Sequence, residues 1–140
     1  MNDHRRYARA IELLRAAKLR PTRQRMALAR LLFATGHRHV TAETLHDEAL
    51  AAHVRVSLAT VYNALHRFTA AGLLREVVVD GQRSCFDTNT TDHQHFFIEE
   101  EGQLQDIPAA SVQITGLPAP PPGTSIRRVD VIVRVAKVSG

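Results

Sequence analysis

Cysteine is all but missing from this 140-residue chain: Cys85 stands alone, so neither an internal disulfide nor a zinc site of the CxxC kind can form within one copy. No apolar run approaches the roughly 20 residues that a membrane-spanning helix needs. The opening MNDHRRYARA lacks the apolar core of a secretory signal. These absences lead us to expect a cytoplasmic protein with no membrane partner. Compositional extremes are missing as well. At 44% hydrophobic and 23% charged residues, the chain fits no disordered, collagen-like or coiled-coil class, and we see no internal repeat.

What is present is charge, unevenly divided. Residues 1–75 hold 13 Lys/Arg against 5 Asp/Glu, a net of +8, whereas residues 76–140 hold 5 against 9, a net of −4. A basic half suits a polyanion and an acidic half suits cations. The length accommodates one domain, or two small modules that share surface by pairing with a second copy, and the charge division favours the second arrangement.

Apolar spacing predicts four helices. The first begins at Tyr7, carries Ala8, Ile11, Leu14 and Ala17, and ends at Pro21; the second is capped by Thr22 and stopped by Gly36. Thr41 opens the third, with Leu45, Ala49 and Leu50 toward a core and fraying near His53. Ser57 caps the fourth, which Gly72 terminates. Two β-prone runs, 73–79 and 82–87, flank an Asp80-Gly81 step that signals a hairpin. Helices followed by a hairpin predict a winged helix-turn-helix, the alternative being a small α+β domain without a nucleic-acid role. Beyond Asp92 three strands are expected, at 95–99, 103–107 and 126–138, with Leu117–Gly123 as a stiff proline-rich connector. Three strands cannot cover their own apolar face, so a second subunit is the expected cover.

Two sets of residues carry chemistry. On the fourth helix Ser57, Thr60, Tyr62, Asn63 and Arg67 share the polar side opposite Leu58, Val61, Leu65 and Phe68, and such side chains read base edges or hold phosphates. Arg20, Arg23 and Arg25 precede and open the second helix, where they would add backbone or minor-groove contacts in A/T-rich double-stranded DNA. The bland alternative is a solvated helix face. In the other half, His93 and His95 lie two apart and so share one face of an extended segment. With His39, Asp87 and Asp106 they form a nitrogen and oxygen set of the kind that binds iron, manganese or zinc. Glu99, Glu100 and Glu101 read as a solvated acidic edge.

The strings Arg20-Pro-Thr-Arg-Gln-Arg25, Gly36-His-Arg-His-Val-Thr-Ala-Glu43, Ser57-Leu-Ala-Thr-Val-Tyr-Asn63 and Gly72-Leu-Leu resemble the ferric uptake regulator (Fur) superfamily. The run from Cys85 to Phe97, with Phe-Asp-Thr-Asn followed by His-x-His-Phe-Phe, resembles its iron response regulator (Irr) branch. The resemblance implies an α+β protein: a winged-helix DNA-binding domain over 1–88 and a small α/β dimerisation and sensing domain over 89–140. It implies a homodimeric repressor or activator of iron-uptake and heme-synthesis genes, with a heme-biosynthesis protein as a further partner. It maps the regulatory metal onto His39, Asp87, His93, His95 and Asp106. Asp87 and Asp106 stand where the wider family has glutamates, which shortens both arms. Ile98 and Glu101 occupy the places of the family's structural-zinc CxxC, so no cysteine-bound zinc is expected. The branch also implies heme at His93 and His95, through imidazole only, because no Cys-Pro motif is present. A ligand held by residues of both halves would fix the angle between them. Two rival readings are a metal-dependent hydrolase built on His93, His95 and Asp87, which lacks an evident nucleophile or base, and a winged-helix protein without a sensor.

Overall fold

The computed structural model describes residues 3–34, 36–80 and 83–139. The chain divides into two compact units, Met1–Thr90 and Thr91–Gly140. The first contains α1 (Asp3–Ala16), α2 (Arg23–Phe33), β1 (His39–Val40), α3 (Ala42–Ala51), α4 (Leu58–Ala70), β2 (Arg75–Asp80) and β3 (Arg83–Asp87). The second contains β4 (Gln94–Ile98), β5 (Gln103–Ile107), a single 3₁₀ turn at Ala109–Ser111, and β6 (Ile132–Val135).

The helix starts follow the local chemistry expected of them. Thr22, Thr41 and Ser57 hold extended backbone and accept with their hydroxyls from the amides of Arg25, Thr44 and Thr60, at 3.3, 3.1 and 3.1 Å. Each cap satisfies one of the amides left orphaned in a first helical turn. At the other ends the chain is less conventional. Gly72 takes φ +84° after α4, with Leu73 N donating to Phe68 O and Gly72 N to Thr69 O. The same paired-bond ending closes α1 with Lys18 at φ 60° and α3 with His53 at φ 60°, where glycine is the usual occupant. The first helix therefore spans Asp3–Ala16 instead of running from Tyr7 to Pro21: Lys18 stops it before the proline is reached. Its buried stripe is Ala10 and Leu14; Ala8 is exposed because helical rotation turns it off that face, whereas Tyr7 lies on the same side one turn nearer the N-terminus and is half exposed. Leu50, expected in the core, is 52% exposed at the end of α3, while Leu45 and Ala49 are fully buried.

These helices enclose one apolar core with Leu14, Leu28, Leu32, Leu45, Val61, Leu65, Phe68 and Phe86 at its centre. The sheet of this unit has the order β1-β3-β2, antiparallel throughout. Strand β1 is too short to carry an alternating pattern and was not expected from sequence. The hairpin β2–β3 closes at Asp80 opposite Arg83 with a register irregularity at Val78/Asp80, and the expected turn residue Gly81 lies outside the described residues.

The second unit is a three-stranded sheet in the order β5-β4-β6, with β4–β5 antiparallel and β4–β6 parallel. The expected α/β character of this half is corrected: its described residues contain strands and one 3₁₀ turn but no α-helix. Residues 112–131, with prolines at 118, 120, 121 and 122, run in irregular backbone that cannot sustain a helical ladder. The last strand is also shorter than 126–138, since the chain takes strand pairing only where it meets β4. The Gln94 side chain ties that junction, its amide donating to Val129 O at 3.3 Å and its Oε1 accepting from Val131 N at 2.6 Å. No residue of β6 is fully buried within one chain, and Val133 is 37% exposed.

Candidate functional site

In the first unit, α4 presents the polar residues along its exposed side while Val61, Leu65 and Phe68 anchor it in the core. Ser57 and Thr60 are engaged with one another as the helix cap, their hydroxyl oxygens 2.9 Å apart. Tyr62 reaches α3, its Oη donating to Glu43 Oε1 at 2.8 Å. That hydrogen bond and the adjacent carboxylate hold the Tyr62 phenol above its ordinary ionisation near 10. Asn63 and Arg67 are exposed. A groove of about 240 Å³ runs beside them, lined also by Thr22, Gln24, Arg25, Leu28, Thr60 and Ala64. Arg20 and Arg23 are exposed at the start of α2; Arg25 instead turns back, its Nη1 donating to Arg20 O at 3.1 Å. Sequence reasoning passed over Gln24, which donates to Arg55 O at 3.5 Å across the turn before α4. Its signal was its place in a capped first turn.

At the edge of the same sheet, His39 on β1 stands opposite Asp87 on β3 in register, with His39 Nε2 3.2 Å from Asp87 Oδ2. Asp87 is fully buried, its Oδ1 accepting from Asn89 N at 2.8 Å, and Arg75 on β2 is its register partner on the other side. His39 is fixed by its neighbour: Arg38 N donates to Thr88 Oγ1 at 2.9 Å, and the Arg38 guanidinium pairs with both oxygens of Glu48 and with Leu31 O.

The second unit brings together His93, His95 and Asp106. His95 and Asp106 are register partners on β4 and β5, and His93 precedes β4. The two imidazoles are buried, at 4% and 1% exposure, with ring centres 4.6 Å apart and planes tilted by 60°. His93 Nε2 and His95 Nε2 lie 3.3 and 3.5 Å from the same atom, Asp106 Oδ1. The other nitrogen of His93, Nδ1, is 2.6 Å from Thr91 O, an acceptor only, so Nδ1 carries a hydrogen and donates it there. Two imidazole nitrogens and a carboxylate oxygen that converge on one point can all face a single cation placed there. The donor set therefore fits a divalent cation, and the carbonyl that fixes the ring of His93 is the usual orienting partner of a metal-binding histidine. The ligand atoms of all three residues lie within 4.8 Å of one another.

Cys85 is buried on β3, and burial pushes its thiol up from the ordinary range. Ile98 and Glu101 flank a turn closed by backbone bonds, with Glu101 N and Gly102 N both donating to Ile98 O.

Comparison with known proteins places the chain in a family. Residues 16–116 match the model of the ferric uptake regulator family. Over 98 residues the chain is 35% identical to the peroxide-responsive repressor PerR of Staphylococcus aureus, covering 70% of this chain and 66% of that protein. The chain thus spans just under two thirds of the length of the curated relatives it matches. Among solved structures, the ferric uptake regulator of Pseudomonas aeruginosa, determined with manganese, superposes with a TM-score of 0.69 at 25% identity, over 93% of this chain and 98% of that one. The Vibrio cholerae ferric uptake regulator shares the fold, with a TM-score of 0.70 at 20% identity over 90% and 98% of the two chains. With most of its length matched by the family model, this chain belongs to the ferric uptake regulator family.

Proposed function

We propose that the protein is a metal-responsive, DNA-binding transcriptional regulator acting as a homodimer, with no enzymatic role. Residues 1–88 serve as a winged helix-turn-helix, with α4 entering the major groove and the β2–β3 hairpin lying along the backbone. Asn63, Arg67, Thr60 and Tyr62 face the bases, while Ser57, Arg20 and Arg23 hold phosphates of an A/T-rich operator. Residues 89–140 serve dimerisation and sensing: Ile126 at 51% and Val133 at 37% exposure leave apolar area that the sheet of a second copy would cover.

The observation that carries the sensor reading is the convergence of His93 Nε2 and His95 Nε2 on Asp106 Oδ1. These three residues, with His39 and Asp87 as further ligands, are the proposed set for iron, manganese or zinc. A bound ion would be held by imidazole nitrogens and carboxylate oxygens together. Ligands drawn from both units would couple occupancy to DNA affinity. Within the family we assign the chain to the iron response regulator branch on its Cys85–Phe97 run, with iron-uptake and heme-synthesis genes as targets and a heme-biosynthesis protein as a partner. Heme, as an added effector, would have imidazole ligation through His93 and His95 alone.

A second reading of the effector is favoured by one finding, the 35% identity to a repressor that responds to peroxide. The test for both is a DNA shift assay on protein loaded with iron, manganese or zinc, with heme or with hydrogen peroxide added, and on a His93→Ala/His95→Ala variant. Metal-dependent DNA binding that the variant loses supports the regulator; a variant that responds normally sinks the sensor assignment. Peroxide release from the iron form, but not from the manganese form, would decide for the second effector.

A further inference from the structure

We infer that Glu43 is a positioning residue for DNA recognition: it takes the hydrogen of the Tyr62 hydroxyl, so that Tyr62 meets a base edge only as an acceptor. The inference rests on the DNA-binding reading of α4 and deepens it. Tyr62 Oη donates to Glu43 Oε1 at 2.8 Å, from the polar side of α4 to the first turn of α3. Both ends of that bond are anchored. Glu43 lies between the cap residue Thr41 and Thr44, whose amide donates to Thr41 Oγ1 at 3.1 Å while the two hydroxyl oxygens stand 3.0 Å apart. One turn along α4, the His66 ring is centred 6.2 Å from the phenol ring and 5.8 Å from that of Phe86, which is fully buried. Tyr62 is therefore braced at ring and hydroxyl within its own unit.

A phenol has one hydrogen to give and lone pairs with which to accept. Here the hydrogen is committed to an ionised carboxylate, in a bond stronger than one between neutral partners. Tyr62 Oη is thereby barred from donating to a phosphate oxygen, or to the N7, O6 and O4 acceptors of the major groove. Accepting remains open to it, and the donors displayed in that groove are the exocyclic amines of adenine and cytosine. The carboxylate alongside favours an amine hydrogen at the same spot and disfavours a phosphate. A side chain that could otherwise bond to any base or to the backbone becomes one that discriminates.

The test begins with the full chain, in buffer containing manganese, selecting duplexes from a random-sequence pool. Shift assays on the selected duplex and its single-base variants then compare wild type with Tyr62→Phe, Glu43→Asp, Glu43→Ala and Tyr62→Phe/Glu43→Ala, and circular dichroism confirms that each is folded. Aspartate keeps the charge at the helix start but is one methylene short of the phenol; alanine removes the acceptor. We expect one position at which the preference for an amine-bearing base falls roughly tenfold in each single variant and no further in the double variant. Replacing that base by its analogue without the exocyclic amine should cost wild type as much. Wild-type discrimination by Glu43→Asp or Glu43→Ala, a Glu43→Ala loss that adds to that of Tyr62→Phe, or wild-type indifference to the missing amine overturns the inference and leaves the DNA-binding reading standing. A wild type that enriches no duplex overturns both.

Discussion

Tyr62 Oη on α4 donates to Glu43 Oε1 in the first turn of α3, linking the two helices through side chains 19 residues apart. The carboxylate accepts only while the phenol keeps its proton, so ionisation is deferred above the ordinary value near 10. The raised folded value means that this link is fully present below the ordinary value and is lost as pH rises through the folded one. In a Tyr7→Phe background, ultraviolet titration of Tyr62 should therefore move down in Glu43→Gln. An unmoved titration would mean that the bond does not persist in solution.

For the metal site, His93→Ala and His95→Ala should each lower manganese affinity at least tenfold, about 1.4 kcal/mol or more, and the double variant should add little. Residues that serve one ion fail together. Additive losses in calorimetric titration would indicate two independent sites.

Chelation bears on a separate question. With one cysteine, no thiolate site staples the fold, so EDTA should leave the far-ultraviolet circular dichroism unchanged. Collapse of the spectrum would reveal a structural metal.

Cys85 should react slowly with a thiol reagent in the native protein, because burial disfavours the thiolate that attacks. Denaturant should release it at once. Rapid native labelling would show that β3 opens readily.

Lys18 and His53 bear left-handed backbone that costs an L-residue roughly 1–2 kcal/mol. Lys18→Gly and His53→Gly should each stabilise the first unit, by about 0.5 kcal/mol once the greater freedom of unfolded glycine is set against the relief. The urea midpoint reads the sign.

These two residues also mark where sequence stops being legible. Thr22, Thr41 and Ser57 announced their helices because a hydroxyl at a cap has a local partner three residues on. Gly72 announced an ending for an equally local reason. Lys18 and His53 do the same work without the glycine, and nothing in their side chains signals it. Strand β1, with two residues, exists only through its pairing with β3, and β6 only through a parallel pairing with β4; neither carries its partner in its own pattern. For the candidate site, His93 and His95 were readable from their spacing of two. Asp106 joined them through the register of a hairpin, whereas the shared oxygen and the Thr91 carbonyl that accepts from His93 Nδ1 could be seen only in three dimensions.

The parallel pairing has a consequence for synthesis. Strand β4 is the centre of its sheet, but its two neighbours emerge from the ribosome at different times: β5 follows directly, and β6 only after the proline-rich stretch. The first unit has all its strands once residue 87 is out, whereas one edge of β4 stays bare through the translation of some thirty further residues. An open strand edge is a template for pairing with another chain. A nascent chain stalled before Ile132 would therefore carry a finished first unit and an adhesive half-sheet, making that interval the one in which the protein most needs a chaperone.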